Sequence, residues 1–174
     1  DNTVIFEGKS ISDRSIPLLH QFLQNPNFYN TETRYIKQCI NFLRNLQNFD
    51  PSPAILRDRA RAKTAKRMGD RGENFAALIK TIIADEGEKT AFISWLKEFS
   101  NYRLEDIGIL EGALGESLFT IKEAAINYPA SILGDGFLKF AAITAAFFQP
   151  QPPAILLIEN VDSGFHPQSL RVLV

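Results

Sequence analysis

Apolar residues recur at helical spacing over the first two thirds of the chain. This pattern predicts four helices, in residues 15–24, 31–47, 74–85 and 88–100. From residue 106 the period changes, and residues 107–112 and 117–123 are predicted as two strands around a Gly-containing turn. An apolar segment in residues 140–148 predicts one more helix, which ends before Pro150. The chain is therefore expected to be of the α/β class.

The last apolar run, Ile-Leu-Leu-Ile at residues 155–158, is unbroken and ends in Glu159. Such a run favours a buried parallel strand. Ligands of α/β sheets bind just beyond the carboxyl ends of the strands, so Glu159 is expected where the magnesium ion of a nucleotide would be held. The alternative is an ordinary core strand whose terminal acid only marks the beginning of solvent.

Four residues precede the predicted helix at residues 140–148: Leu133, Gly134, Asp135 and Gly136. Two glycines at a helix N-terminus leave backbone amides accessible, so that a phosphate can approach them. This segment is therefore a candidate phosphate-binding loop.

The order of these motifs resembles the ABC-type ATPases of the RecF, SMC and OLD-like group, within the AAA and P-loop NTPases. Five features carry the resemblance, in this order: a Gly-Asp-Gly turn, an apolar helix, a Pro-rich link, an apolar strand with an acid, and a Gly-Phe-His-Pro turn. They cover about the last quarter of the chain, with a looser match in the Gly-Glu-Asn segment at residues 72–74. The resemblance implies the C-terminal lobe of a P-loop NTPase-like fold with a helical insertion, and it implies ATP and Mg²⁺ as cofactors. We expect three segments: a strand end with a helical segment in residues 1–53, and a helical insertion with a basic stretch in residues 54–104. Residues 105–174 then hold the hairpin, the signature-like loop, the helix and the Walker B strand of a truncated ATPase domain.

The resemblance also implies a role for each motif residue. Residues 133–136 correspond to the signature loop, which in an ATP-dependent dimer reaches the γ-phosphate bound by the partner. Glu159 takes the Walker B role as Mg²⁺ ligand, Asn160 falls where the family carries the glutamate that orients the attacking water, and His166 lies in the turn that faces the partner.

Two residues depart from the pattern of that family. Gly134 lacks the hydroxyl of the signature serine, and the amide of Asn160 cannot accept a proton as a carboxylate can. These departures weaken the expectation of rapid hydrolysis but leave nucleotide-driven association possible. With the alignment shifted by one position, Asp162 becomes an alternative acid.

The chain has no complete P-loop motif. Gly8-Lys9-Ser10 matches the end of Gly-x-x-x-x-Gly-Lys-Ser/Thr, but Thr3 stands where the first glycine is required. Residues 3–6 are instead predicted as a strand that ends in a glycine turn. Because the chain begins at Asp1 and stops within an apolar pattern, we expect a piece of a longer ATPase whose P-loop lies upstream, and we expect the piece alone to be inactive.

Seven basic residues cluster in a chain whose net charge is only -1. They are Arg57, Arg59, Arg61, Lys63, Lys66, Arg67 and Arg71. Such a cluster is a candidate contact for the phosphates of DNA or of a nucleotide. The alternative is a solvated helix or loop without a ligand.

Composition adds the cellular context. With 174 residues, of which 45% are hydrophobic, the chain can bury one sizeable core. One cysteine and two histidines argue against an internal disulfide or a zinc site. No run reaches the roughly 18 apolar residues of a membrane span and no secretory signal is recognisable, so a cytoplasmic protein is expected.

Three functions are compatible with these observations. The first is part of an ATP-binding and ATP-hydrolysing ABC-type domain that couples dimerisation to DNA transactions or to an attached nuclease, as in DNA repair or phage defence. The second is a catalytically degenerate nucleic-acid-binding or scaffolding module derived from such an ATPase. The third is an unrelated helical interaction domain.

Overall fold

The computed structural model describes residues 4–6, 9–11, 31–61, 64–100 and 102–165. The chain divides into two compact units, Asp1–Leu46 and Gln47–Val174. In the first unit, strands β1 (Val4–Phe6) and β2 (Lys9–Ile11) pair in antiparallel orientation, and helix α1 spans Thr31–Arg44.

The hairpin of the first unit decides how Gly8-Lys9-Ser10 should be read. Phe6 pairs with Lys9 and Ile5 pairs with Ser10, so both polar residues lie in a strand. A P-loop requires a helix to begin there. The prediction that this segment is not a P-loop, and that a strand precedes it, is confirmed.

The second unit, together with Leu46 at the start of its first strand, contains four further helices, one 3₁₀ turn and five strands among its described residues. In chain order they are β3 (Leu46–Phe49), α2 (Pro53–Leu56), α3 (Phe75–Ile82), α4 (Glu86–Phe99), β4 (Asp106–Glu111), β5 (Ser117–Glu123), β6 (Ile126–Pro129), a 3₁₀ turn (Ala130–Ile132), α5 (Asp135–Phe147) and β7 (Ile155–Ile158). None of the helices in the described ranges is long and apolar enough to cross a membrane.

Helix α5 lies at the centre of this unit. Its residues 137–146 are all buried, as expected for a helix that is covered on every side. Helices α3 and α4 pack against it. The antiparallel sheet β4-β5-β6 completes the core, and Phe119 of β5 contacts Phe75 of α3 edge-to-face at a centroid distance of 5.0 Å.

Several predicted helix boundaries are wrong: α3 ends at Ile82 instead of residue 85, and α5 begins at Asp135 instead of residue 140. The helix expected over residues 31–47 ends at Arg44, and β3 follows, because buried Gln47 and Phe49 alternate with exposed Asn48 as in a strand. Helix α4 already begins at Glu86, because the Asp85 carboxylate caps it by accepting from the backbone N–H of Glu88 at 3.0 Å. The helix expected over residues 15–24 lies outside the described residues.

Strand β6 has no counterpart among the predicted elements. The turn between β5 and β6 consists of Ala124 and Ala125, which both have positive φ angles, 48° and 64°. Glycine or asparagine normally marks such turns, so two alanines give no turn signal in the sequence.

Strand β7 is present as predicted, but the expectation that it is fully buried is wrong. Leu157 is 47% exposed and the other three residues are half-buried. In the described part of the chain β7 is hydrogen-bonded to β3 only. A strand in a two-stranded sheet has fewer neighbours to cover it than a central strand of a parallel sheet.

Candidate functional site

The Glu159 side chain is held at the end of β7 by the neighbouring strand. The backbone N–H of Glu159 donates to the carbonyl oxygen of Phe49 at 2.9 Å. The Asn48 side-chain amide donates to Oε1 of the exposed Glu159 carboxylate. The sequence interpretation missed Asn48 because it ended a helix at residue 47 and predicted no strand there. The available signal was the position of Asn48 in an alternating segment, one residue before its end.

The candidate phosphate-binding loop, residues 133–136, opens α5 as predicted. Leu133 is buried, while Gly134 is the N-cap residue of α5 and makes no side-chain capping hydrogen bond. Asp135 is the first residue of the helix. The N-terminus of a helix carries unpaired amides and a partial positive charge, which together favour an anion.

Arg57 anchors this loop from the end of α2. Its Nη2 donates to the carbonyl oxygen of Leu133 at 2.8 Å and forms an ion pair with the Asp135 carboxylate. The Arg57 side chain is 30% exposed and the Asp135 side chain is 63% exposed, so solvent screens this ion pair. Arg57 thus offsets the one negative charge in the loop, a role that its place in a run of basic residues did not reveal.

The start of α5 lies directly against the turn that follows β7, residues 159–165. A Cβ added to Gly136 would lie 2.5 Å from the carbonyl oxygen of Gly164, which is closer than real Cβ contacts. The next residue in the turn, Phe165, packs edge-to-face on Phe99 at 5.3 Å, and Phe99 stacks on Phe140 of α5 at 3.9 Å. The two motifs recognised in the sequence are therefore in contact.

A buried lysine connects the same two segments. Lys139 of α5 is only 5% exposed, and its Nζ donates to the carbonyl oxygens of Asn160 at 2.9 Å and Ser163 at 3.2 Å. The Ser163 N–H also donates to the Asn160 carbonyl, at 3.0 Å. A single lysine within an otherwise apolar helix was the sequence signal for this contact, and the sequence interpretation did not use it.

Asn160 itself adopts a left-handed backbone conformation, with φ of 51°. Asparagine tolerates this region better than most residues because its short polar side chain costs little there. Asn160 is exposed and follows Glu159 directly. Asp162, the alternative acid, lies in the same turn, whereas His166 lies outside the described residues.

The candidate metal site consists of one carboxylate. The described ranges contain no group of three His, Cys, Asp or Glu side chains that could hold a metal ion. Mg²⁺ commonly binds through one or two carboxylates together with nucleotide phosphates and water. Because Asn48 contacts Oε1, Oε2 of Glu159 is the oxygen that fits this role.

The basic cluster does not form one uniform surface. Besides Arg57, Arg59 forms an ion pair with Glu116 at 3.5 Å, and Arg67 donates to the Gln47 side chain at 3.3 Å. Three of the seven residues therefore have contacts within the unit. Among the described members, Arg59, Arg61, Lys66 and Arg71 are exposed, and Lys63 lies outside the described residues.

Residues 16–174 match the family described as "AAA domain, putative AbiEii toxin, Type IV TA system". The chain belongs to this family. It is thus an AAA domain of the P-loop ATPase type, and the mixture of helices and sheets agrees with the α/β class at this coarse level. No curated protein and no solved structure gives a significant match.

Membership in this family gives the site its general chemistry. AAA ATPase domains bind nucleotide together with Mg²⁺, and the expectation of an ATPase-type domain is confirmed at that level. Membership does not specify the ABC-type arrangement, the DNA or the partner.

Proposed function

We propose that this AAA domain supplies part of an ABC-type ATP site of the RecF, SMC and OLD-like kind. In this proposal Glu159 holds the Mg²⁺ of the nucleotide bound to its own chain. The loop of Leu133, Gly134, Asp135 and Gly136 faces the γ-phosphate bound by a second copy. ATP-driven association would then drive work on DNA or control an attached nuclease.

One observation carries this proposal: Gly136 is packed against the carbonyl of Gly164 so closely that only glycine fits. The contact fixes the start of α5 beside the turn that begins at Glu159. The distance between a phosphate-binding loop and a carboxylate that binds Mg²⁺ has to be fixed if both are to take part in ATP-driven association.

Asn160 fits a slow enzyme better than a fast one. Asn160 can orient water through its amide but cannot take up its proton. In this proposal His166 faces the partner copy, as the resemblance implies. We therefore expect ATP binding and association to be stronger properties of this protein than turnover, and the degenerate scaffold is the second candidate.

The direct test is an ATP titration of the intact protein that contains this chain, with Mg²⁺ and with a chelator. Glu159→Gln should remove the gain in affinity that Mg²⁺ gives, because an amide is a poor ligand for this hard cation. Glu98→Gln, at an exposed position of α4, is the matched control and should keep the gain. Failure of the intact protein to bind ATP in either buffer would refute the proposal.

Turnover separates the enzyme from the scaffold. Asn160→Asp restores a carboxylate, and aspartate shares the tolerance of asparagine for the left-handed conformation. A clear increase in ATP hydrolysis by this variant would support an ATPase limited at position 160. If neither wild type nor variant hydrolyses ATP although both bind it, the scaffold function is favoured.

We further propose that the exposed members of the basic cluster contact DNA phosphates. Arg61→Glu with Lys66→Glu should weaken binding to a short mixed-sequence duplex and reduce its salt dependence, because fewer counterions are released. Lys97→Glu is the control, since Lys97 is exposed on α4 and lies outside the basic cluster. Equal binding by the charge-reversed variant and wild type at low salt would exclude this surface.

A cytoplasmic location and the three segments 1–53, 54–104 and 105–174 stay part of the proposal. The family description names a toxin of a type IV TA system, and a toxin function is one form that the proposed effector coupling could take.

A further inference from the structure

The burial of Lys139 requires an explanation. It lies in α5 between residues that are all buried, and only 5% of it is exposed. Burying a lysine ammonium is costly unless hydrogen bonds replace the lost water. A leucine or methionine at this position would fill the core without that cost, so the polar contacts of Lys139 are its distinguishing property.

Those contacts all go to one segment. Nζ donates to the carbonyl oxygens of Asn160 and Ser163, at 2.9 and 3.2 Å, and no ion pair of Lys139 is present in the described part of the chain. Since the Ser163 N–H donates to the same Asn160 carbonyl, the lysine stabilises a turn that is already closed. It therefore fixes where the turn lies relative to α5, and this includes the left-handed Asn160.

We infer that Lys139 is a positioning residue that makes α5 and the turn after Glu159 move as one body. The inference rests on the proposed function, because it connects the Mg²⁺ carboxylate of one nucleotide with the loop that faces the nucleotide of a second copy. In this arrangement binding at Glu159 shifts the loop of residues 133–136 through the ammonium of Lys139. Without the ammonium the two motifs respond separately.

The test uses Lys139→Met, which keeps a long unbranched side chain but removes the donors and the charge. ATP affinity in chelator should stay within about twofold of wild type, because the phosphate contacts do not depend on Lys139. The Mg²⁺-dependent gain in affinity should fall about tenfold, the usual size of effect when a group that orients a metal site is lost. ATP-driven self-association should fall in parallel.

Lys89→Met is the matched control, since Lys89 is also partly buried but pairs with Asp106, away from this turn. Both variants are first checked by thermal melting. If Lys139→Met does not fold, Lys139→Gln replaces it, because glutamine keeps a donor and loses only the charge. Hydrogen exchange of the backbone amides in residues 160–165 should rise in the position-139 variant and not in Lys89→Met.

The outcomes are distinguishable. If wild type binds ATP and associates, and folded Lys139→Met or Lys139→Gln does the same with an unchanged Mg²⁺ response, the inference is wrong while the proposed function stands. If wild type itself does not bind ATP, the proposed function fails first. Loss of ATP binding in chelator as well would identify Lys139 as a purely structural residue and would also overturn the inference.

Discussion

Gly136→Ala tests the contact on which the proposed site depends. The added methyl group would lie 2.5 Å from the Gly164 carbonyl oxygen, about 1 Å short of ordinary van der Waals contact. Because this oxygen belongs to the backbone, no side-chain rotation can relieve the overlap. The helix start or the turn has to move.

The expected magnitude follows from two opposing effects. Overpacking in a well-packed region costs about 1–3 kcal/mol. Alanine in place of glycine regains up to about 1 kcal/mol of helix propensity, and less in the first turn. We therefore expect a net loss of about 1–2 kcal/mol, which for a chain of this size lowers the melting temperature by roughly 2–8 °C.

The chain offers a closely matched control in Gly87. Gly136 and Gly87 are each the second residue of their helix, and the nearest neighbour of a Cβ at Gly87 is Asp85 Oδ1, the oxygen that caps α4, at 3.1 Å. Gly87→Ala should cost less than Gly136→Ala, because only this side-chain cap has to shift, by a few tenths of an ångström, and no backbone has to move.

The assay is urea and thermal denaturation of both variants, followed by ATP titration with Mg²⁺. Gly136→Ala should be the less stable variant and should lose part of its Mg²⁺-dependent ATP affinity. Equal stability of the two alanine variants would show that the turn adjusts freely, and the argument that glycine is required at position 136 would then fail.

Two further predictions concern single side chains. Gly134→Ser should fold without strain, because the φ angle of residue 134 is −64° and the nearest atom to the new Cβ is the Tyr102 hydroxyl at 4.0 Å. A serine at the N-cap should raise the free energy of unfolding by a few tenths of a kcal/mol, measured by denaturation. A loss above about 1 kcal/mol would contradict the open space around this position. Asp106→Asn should lower stability slightly at neutral pH. Burial alone would raise the pKa of Asp106, but its hydrogen bond and proximity to Lys89, together with other local interactions, lower it overall. This stabilisation is present above the pKa that Asp106 has in the unfolded chain, and it is lost as pH falls through the pKa of the folded state. The stabilities of wild type and Asp106→Asn should therefore converge in acid. A stability difference that persists there would exclude the ionised carboxylate as its cause.

Much of the fold could be predicted from apolar periodicity, for physical reasons that differ between elements. Helix α5 has a long apolar pattern that follows two glycines. Strand β7 is an unbroken apolar run that follows a pair of prolines. Strand β3 was missed because Leu46 continues the helical pattern of α1, while tertiary pairing with β7 decides its conformation. Strand β6 was missed because its turn is formed by alanines in an unfavourable conformation.

The site could be predicted as a pair of motifs but not as an arrangement of contacts. Glu159 and residues 133–136 were found from their types and order. Asn48, Lys139 and Arg57 became visible only through partners that are distant in the sequence, such as Leu133 for Arg57 and Asn160 for Lys139. The local pattern marks Asn48 and Lys139 as unusual polar positions, but it does not name their partners, and their roles are defined by those partners.

The two cations that contact the start of α5 explain how an otherwise apolar helix obtains a defined position. Apolar packing is not directional, so a helix buried on every side can slide or rotate at small cost when residues of similar size face each other. Arg57 fixes the first turn through the Leu133 carbonyl, and Lys139 fixes the next turn through the Asn160 and Ser163 carbonyls. Hydrogen bonds from charged donors are directional and costly to break when buried. The position of the candidate phosphate-binding loop is thus set by polar contacts at one end of α5, whereas the apolar remainder of the helix provides the stability that offsets the burial of Lys139.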